Sequence, residues 1–505
     1  VNMKIAGVDI GTTGCKCTVF DAVGKYLGRA YREYPANRND NGHEIDANLI
    51  LRAVFETVAE MAKQYPDIAG IGITSFGETF VMTDVQGIPL HKAMLYTDPR
   101  GEEQNLSLVD ALGSHEMQKI TGVKPHVTYS LAKMMWVKEN MPEVYSRAAH
   151  IFLMEDFVVY HLTGVAQIDY SLASRTQAFD IRNLCWSKVI FDKAMIDMAK
   201  MSRPVPTGTP AGAVREETAK ELGLMPGTMI VNAAHDQVAA AIGAGVFDGS
   251  VAADGAGTVE CMVPVYDSLP DMDVMYEGNY AVVPYVVPGK YVTYAYSYTG
   301  GALIQYCVDT LADKEKKQAE AEQISVYELL EKQYIEARGD VPGKLLVLPH
   351  FAGAATPYMD AGSKGAILGL TMDSKVFDIY RGCMEGVVYE MLVNFELLTK
   401  SGINCKRMAA TGGGAKSCTW MQMKANILNI PITALSTVDA GTVGAVMLTG
   451  IAIGAFRDLK DAAEHMVQET VTYQPNREMH DLYRSKFELY AKLYDAVRPL
   501  VGGEM

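Results

Sequence analysis

The chain has 505 residues, 49% of them hydrophobic and 21% charged, with a formal net charge of −15. That length exceeds one ordinary hydrophobic core and predicts two or three domains, while the acidic balance without any Lys/Arg-rich run excludes a nucleic-acid-binding surface. The eight cysteines lack zinc or redox spacing, and neither an apolar leader at VNMKIAGVD nor a membrane-length apolar run occurs, so a cytoplasmic protein with free thiols and no membrane contact is expected.

The stretch from Gly7 to Asp21, GVDIGTTGCKCTVFD, predicts two strands joined at Gly11-Thr12-Thr13-Gly14. Glycines at such a corner allow backbone conformations closed to other residues, so inward-pointing amides can hold a phosphate. Thr12 and Thr13 add hydroxyl donors, Lys16 a positive charge, and Asp9 an oxygen ligand of the kind Mg²⁺ prefers. An ordinary hairpin with a glycine corner fits the same residues. A third strand over Tyr26 to Tyr34, a helix capped by Asp46 and running to about Gln64, and a buried parallel strand from Ile68 to Thr74 follow. Together they say α/β.

Glu78 stands just past that strand, where sheets of this class hold ligands. It reads either as an acceptor for substrate hydroxyls or as a solvated loop carboxylate. Tyr96 suits a sugar face, and Asp98 with Arg100 reads as a structural ion pair. Ser130 to Asn140 predicts a helix in which Lys133 snorkels or points into a cleft; MEDFVVYHLTG predicts a helix ending at Gly164. IDYSLASRTQAFD reads as a loop forming a wall of the substrate domain. At MIVNAAHDQVAAAIGAG a short strand runs into a small-residue helix through His235-Asp236-Gln237. A carboxylate at such a switch is held rigidly, which makes Asp236 a candidate base for a hydroxyl proton, with helix N-capping as its plainer role.

Around Asp254 the chain reads DGAGTVECMVPVYD, which one inserted residue aligns with the first hairpin: Asp9 faces Asp254, Gly11 faces Gly257, Thr12 faces Thr258 and Cys15 faces Cys261. A repeat about half a chain apart predicts two related domains, 1–244 and 245–505, facing one nucleotide. Chance similarity of two Gly-Thr hairpins is the plainer explanation. Gly300 and Gly301 precede a helix whose first amides suit an anion or a base edge. Gly412-Gly413-Gly414 sits between a strand and a helix from about Ser417, allowing close approach of an adenine or a phosphate. Neither a dinucleotide fingerprint nor a P-loop is present.

In order, DIGTTGCKCTVFD, SLAKMMWVKEN, NAAHDQ, GAILGLTMDSKVFDIYRGCMEG and GGGAKSCTWMQMKAN resemble the FGGY carbohydrate kinases, which phosphorylate xylulose, ribulose, gluconate, glycerol and related polyols. The resemblance covers nearly the whole chain. It implies an α/β fold of two actin-like (ribonuclease H-like) domains around an ATP cleft, with ATP and Mg²⁺ as cofactors. It assigns Asp9 to the metal and Gly11, Thr12, Thr13 and Lys16, with Gly257 and Thr258, to the phosphates. Gly301, Gly413, Gly414, Ala415 and Ser417 fall to ATP, Asp236 to the base, and Glu78, Thr79, Tyr96, Asp236 and Gln237 to the substrate.

Three positions depart from the glycerol kinase pattern. Gly77 stands where that pattern has an arginine that contacts glycerol, Tyr96 where it has tryptophan, and Thr128 where it has tyrosine. The Met-His pair of xylulose kinases is also absent, although YSYTGGAL and PEVYSRAAHIFLMEDFVVYHLTG are similar to that branch. The expected activity is ATP-dependent phosphorylation of a terminal hydroxyl of a small sugar, a pentulose such as xylulose first. A kinase for a polyol or aldonate, an actin-like ATPase and a sugar sensor are the alternatives. A homodimer is expected on base rates alone.

Overall fold

Residues 3–39, 42–437 and 439–501 are described by a computed structural model. Lys4–Ile10 (β1) and Gly14–Asp21 (β2) form the first hairpin, with Asp9 directly opposite Lys16. Tyr26–Glu33 (β3) continues the meander antiparallel to β2. Helix α1 (Ala47–Gln64) begins where the Asp46 carboxylate accepts a hydrogen bond from the Asn48 amide, and it buries Ile50, Val54, Val58 and Met61 on one face. The crossover leads to Ile68–Ser75 (β4), parallel to β1, as its uninterrupted apolar run requires.

Several helices, among them Ser130–Asn140 (α2) and Met154–Thr163 (α3, ended by left-handed Gly164), precede Thr209–Ala213 (β5) and Met229–His235 (β6). The completed sheet has the order β5-β6-β4-β1-β2-β3. Asp236–Gly243 (α4) leaves β6 directly.

The second half repeats this plan. Val251–Ala256 (β7) pairs antiparallel with Glu260–Tyr266 (β8), whose outer edge carries the short strands Val283–Pro284, Tyr291–Val292 and Ala295–Ser297. After Gly301–Leu311 (α5) and the long helix Val376–Lys400 (α6), Arg407–Thr411 (β9) joins β7 in parallel. Cys418–Leu428 (α7) connects to Ile432–Leu435 (β10), parallel to β9; Ala440–Ala452 (α8) follows, and Glu469–Tyr473 (β11) closes the edge antiparallel to β10. The order β11-β10-β9-β7-β8 thus matches β5-β6-β4-β1-β2 strand for strand, with the same senses. The repeat seen in the two hairpins extends to whole ribonuclease-H-like sheets.

The halves are locked together through α8. It lies across the first sheet, where a Cβ on Gly7 would come within 2.6 Å of the Thr442 carbonyl and one on Gly72 within 2.6 Å of the Ala445 carbonyl. Its other flank meets α4: a Cβ on Gly444 would be 1.9 Å from the Ala239 carbonyl, and one on Gly243 1.9 Å from the Ala440 carbonyl. Ala239 therefore opposes Gly444 and Gly243 opposes Ala440, so the two helices run antiparallel at backbone contact. A helix covered on both flanks needs apolar or small residues all round, as α8 has.

Two local expectations are corrected. IDYSLASRTQAFD is not a loop: it forms a strand at Gln167–Asp169, a helical turn at Tyr170–Ala173 and a 3-10 turn at Ser174–Thr176. The Asp169 carboxylate, accepting from the amides of Ser171 and Leu172, caps that turn. Lys133 neither snorkels nor enters the cleft. Fully buried, it donates to the carbonyls of Thr128 (3.2 Å), Tyr96 (3.4 Å) and Val127, and burial pulls its ammonium down to about 8. Among the described residues no helix is long and apolar enough to cross a membrane.

Replacing Gly444 by alanine tests the α4–α8 contact. In an exposed helix the change adds about 1 kcal/mol of stability; here the new methyl group has no room. Calorimetry should show a lower Tm for Gly444→Ala, corresponding to about 1–3 kcal/mol lost to overpacking.

Candidate active site

Asp9 lies near the end of β1, Lys16 opposite it on β2, and Asp439 at the N-cap of α8, where it accepts from the Thr442 amide. Lys16 Nζ is 3.0 Å from Asp9 Oδ2 and 2.5 Å from Asp439 Oδ2. Burial raises the Asp9 carboxyl while Lys16 draws it back; burial of Lys16 is in turn outweighed by the two carboxylates, which hold its proton firmly. Sequence reasoning missed Asp439. Aligning the helix start at Asp439-Ala440-Gly441 with that at His235-Asp236-Gln237 would have found it.

At the first corner the Gly11 amide donates to the Gly14 carbonyl (2.9 Å), and Tyr34 clamps the turn from behind through Gly11 and Thr13 carbonyls. Among the described residues the Thr12 and Thr13 hydroxyls have no hydrogen-bond partner. The second corner differs. Its carbonyls at Gly257 and Thr258 accept from the amides of Gly301 (2.8 Å), Gly300 (3.0 Å) and Ala302 (3.0 Å). The first amides of α5 are therefore already engaged, contrary to the expectation of an open anion site there, and Gly301 offers a surface instead of a donor.

Asp254, the counterpart of Asp9, is fully buried; Lys424 of α7 sits 2.7 Å from its Oδ2 and 2.6 Å from Glu260 Oε1. Asp254 Oδ1 and Glu260 Oε2 have no partners, and burial, then the charge of Asp254, pushes Glu260 well above the usual carboxyl range. In the glycine loop after β9, Gly412 has φ +89° and backs closely onto the Ala256 carbonyl, whereas Gly413 faces open space. Gly414 packs on Trp420, Ala415 is buried, and the Ser417 hydroxyl caps α7 by accepting from the Trp420 amide (3.2 Å).

On the other side of the cleft Asp236 is the first residue of α4, not its N-cap; His235 holds that position. Asp236 Oδ1 accepts from the Gln237 amide at 2.6 Å and lies 3.2 Å from His235 Nε2. Burial, followed by the charge of Asp9, lifts the Asp236 carboxyl to about 7. Burial and the nearby Arg175 keep His235 neutral. The His235 amide donates to Ser171 Oγ (2.8 Å), whose hydroxyl donates to Asp169 Oδ2 (2.7 Å), so the strand end is tied to the capped turn behind it. Gln237 Oε1 accepts from Cys261 Sγ at 3.4 Å, a bond between the halves.

Glu78 adopts φ +63°, a left-handed backbone that non-glycine residues seldom take. Its carbonyl accepts from Ser130 Oγ (2.6 Å), and its Oε1 accepts from Arg175 Nε (2.6 Å) and Nη2. Arg175 lies between the rings of Tyr129 and Tyr294, whose centroids are 5.2 and 5.6 Å from its Cζ. Tyr294 comes from the second half and also meets the His235 ring at 5.5 Å. Tyr96 is half-buried, its hydroxyl proton held more tightly through burial and the charge of Glu78. Thr79 Oγ1, Arg175 Nη1, Gln177 Nε2, His235 Nδ1 and Tyr294 OH are all buried without partners. Unbonded polar groups are costly inside a protein, and three of the residues that carry them, Arg175, His235 and Tyr294, lie close to Asp236. Arg175, Tyr129, Tyr294 and His235 were not among the expected site residues.

Two sheets of one plan, each with a glycine corner in its first hairpin, and a carboxylate at a strand-to-helix switch define a two-domain actin-like fold. Residues 4–243 match the N-terminal domain and residues 256–453 the C-terminal domain of the FGGY family of carbohydrate kinases, and the chain belongs to that family. It is 26% identical to a xylulose kinase of Staphylococcus epidermidis over 99% of this chain and 98% of that one. A gluconokinase of Bacillus subtilis is 28% identical over 96% of this chain and 94% of its own. The crystal structure of a gluconate kinase from Lactobacillus acidophilus superimposes with a TM-score of 0.88 at 23% identity, covering 99% of both chains.

The buried Lys424 triad should behave as a structural element. Lys424→Ala leaves two carboxylates without their cation, an expected loss of about 3–5 kcal/mol near neutral pH. With its folded-state proton affinity raised, Glu260 stabilises the variant only while protonated, so the deficit should grow as pH rises. Thermal unfolding of parent and variant at about pH 5 and about pH 8 checks this, the smaller Tm gap being expected at the acidic value.

Proposed function

We propose that this carbohydrate kinase transfers the γ-phosphoryl group of ATP to a terminal hydroxyl of a small open-chain sugar, a pentulose such as xylulose. Residues 1–244 would supply the sugar pocket and residues 245–505 most of the nucleotide side. The observation that carries this is Asp236, a carboxyl lifted to about 7 at a rigid strand end between the pocket of Glu78 and the charge of Asp9. Its Oδ1 is engaged by the Gln237 amide, which leaves Oδ2 to take the proton of the attacking hydroxyl. Glu78, Thr79, Tyr96 and Gln237 orient the sugar chain.

The residues at the other end fit Mg²⁺ carried with ATP. Asp9 and Asp439 are hard oxygen donors facing one another across Lys16. Among the described residues no group of three or more acidic, His or Cys side chains is placed to hold a metal alone, which suits an ion that completes its shell with water and phosphate oxygens. When bound, the ion supplies charge neutralisation on the β- and γ-phosphates. Lys16 is the cation available to move from its carboxylates to a phosphate, and the amides and hydroxyls of Thr12, Thr13 and Thr258 would clasp the chain of phosphates, at corners that Gly11 and Gly257 close through their own backbone bonds. Gly413 and Gly414, flanked by Ala415, Ser417 and Gly301, offer the adenosine a close backbone surface. In a loose phosphoryl-transfer transition state most of the rate comes from such positioning, and closure of the cleft excludes water.

Two acidic groups and one cation line the sugar pocket. That charge balance favours a neutral sugar over an aldonate. The test is ADP release with MgATP against a panel of pentuloses, hexuloses, polyols and aldonates. Turnover should be confined to neutral sugars, and Asp236→Asn should lower kcat by about 10²–10⁴. Because a protonated carboxyl cannot accept the hydroxyl proton, parent kcat should fall as pH drops below about 7. Normal ATP binding without sugar-dependent ADP release would overturn the proposal, as would near-normal turnover of the Asn variant.

A further inference from the structure

The strand end that delivers Glu78 carries no cation of its own, yet a cation is there. Arg175 reaches in from the 3-10 turn at Ser174–Thr176 and places Nε and Nη2 on one oxygen of Glu78, Oε1. Among the described residues Glu78 Oε2 makes no hydrogen bond, and Arg175 Nη1 is buried without a partner. A guanidinium normally spends its donors on a carboxylate in pairs, one nitrogen to each oxygen. Here one donor and one acceptor are left over on the same ion pair.

The space Arg175 occupies exists because residue 77 is glycine. A Cβ at Gly77 would lie 2.9 Å from Arg175 Cγ, 3.2 Å from Arg175 Cβ and 3.2 Å from His235 Cδ2. These are atoms near the backbone end of the arginine, which cannot give way by a simple rotation of the tip. The backbone of Gly77 is not in the left-handed region, so an alanine meets no conformational penalty there. The glycine serves volume alone.

We propose that Gly77 and Arg175 together form a specificity determinant of the sugar pocket. Arg175 fills the volume that a side chain at residue 77 would take and fixes Glu78 through Oε1. It leaves Nη1 as donor and Glu78 Oε2 as acceptor for two adjacent hydroxyls of the substrate. A vicinal diol satisfies both at once, its first oxygen accepting from Nη1 and its second hydroxyl donating to Oε2. The same ion pair, with the Ser130 bond to the Glu78 carbonyl, holds the left-handed backbone at Glu78 in place. This inference rests on the sugar-kinase proposal and adds to it the residues that choose the sugar.

The experiment compares the parent with Arg175→Ala, Arg175→Lys, Gly77→Ala and the double variant Gly77→Ala/Arg175→Ala. Steady-state kinetics use the sugar that turns over best, alongside sugar-induced Tm shifts. Arg175→Ala should raise the sugar KM by about tenfold or more while the MgATP KM stays within about twofold. Lysine, lacking the fork, should not restore it. Gly77→Ala should reproduce that loss in the parent but cost less than about twofold when Arg175 is already alanine, since the two act through one contact. A deoxy-sugar lacking one hydroxyl of the diol should be penalised by the parent and not by Arg175→Ala.

Additive effects of the two substitutions, or an unchanged sugar KM in Gly77→Ala, would overturn the pairing. The Gly77→Ala result decides the matter even if Arg175→Ala fails to fold. A parent that shows neither sugar-dependent turnover nor any sugar-induced Tm shift overturns the kinase proposal and this inference together. A parent that turns over while its variants keep its sugar KM overturns only the inference.

Discussion

The arrangement depends on how closely two helices pass. α4 and α8 touch backbone to backbone because Gly243 and Gly444 carry no side chain where carbonyls of the opposing helix intrude. Each helix begins beside an acidic residue, Asp236 in one and Asp439 in the other, and a carboxylate at a helix N-terminus is favoured by the peptide dipoles. One crossing therefore sets the places of two charges on either side of Lys16 and Asp9. Side chains of ordinary size would hold the helices about 8–10 Å apart and spread these groups.

The two charge clusters, at Asp9 and at Glu78, are balanced differently. At Asp9 a single lysine is shared by two carboxylates; in the proposed phosphate role, an incoming polyanion would rearrange it at little cost because the lysine only exchanges one negative partner for another. Around Glu78 the charges are fixed. Arg175 is enclosed by Tyr129, Tyr294 and Glu78, and the segment that carries it is braced by Asp169 through Ser171 to the His235 amide. In the proposed roles, a cation shared between carboxylates suits a ligand whose charge changes during the reaction, and a braced one suits a ligand that must be told apart from its isomers.

What could be read from the sequence was what nearby residues decide. The Gly11 to Gly14 corner, the Asp46 cap, the β4 strand and the carboxylate at the end of β6 depend on neighbours within a few positions, and all are present as expected. The segment of Arg175 reads from sequence as a wall of the substrate domain, but its pairing was hidden because its partner Glu78 is 97 positions away, and the turn that presents it is stabilised by a cap at Asp169 too short to give a periodic signal. Gly77 stood out as a departure from a related pattern, but its physical reason belongs to residue 175. Lys133 reads as an ordinary charged residue of an amphipathic helix until three carbonyls from the preceding segment and from Tyr96 enclose it. Tyr294 lies on the far half of the chain, and no local pattern connects it to His235.

The duplicated hairpins have a last consequence. Asp9 and Asp254 occupy the same place in two copies of one sheet, yet the first keeps part of its side chain at the surface, 14%, and the second keeps none. The difference is Lys424, 170 residues from Asp254 and outside the repeated hairpin, which neutralises the second aspartate together with Glu260. The internal two-fold of the fold thus ends at its charges. Two halves of one plan thus present one partly exposed carboxylate and one buried ion cluster, within a backbone that is nearly symmetric.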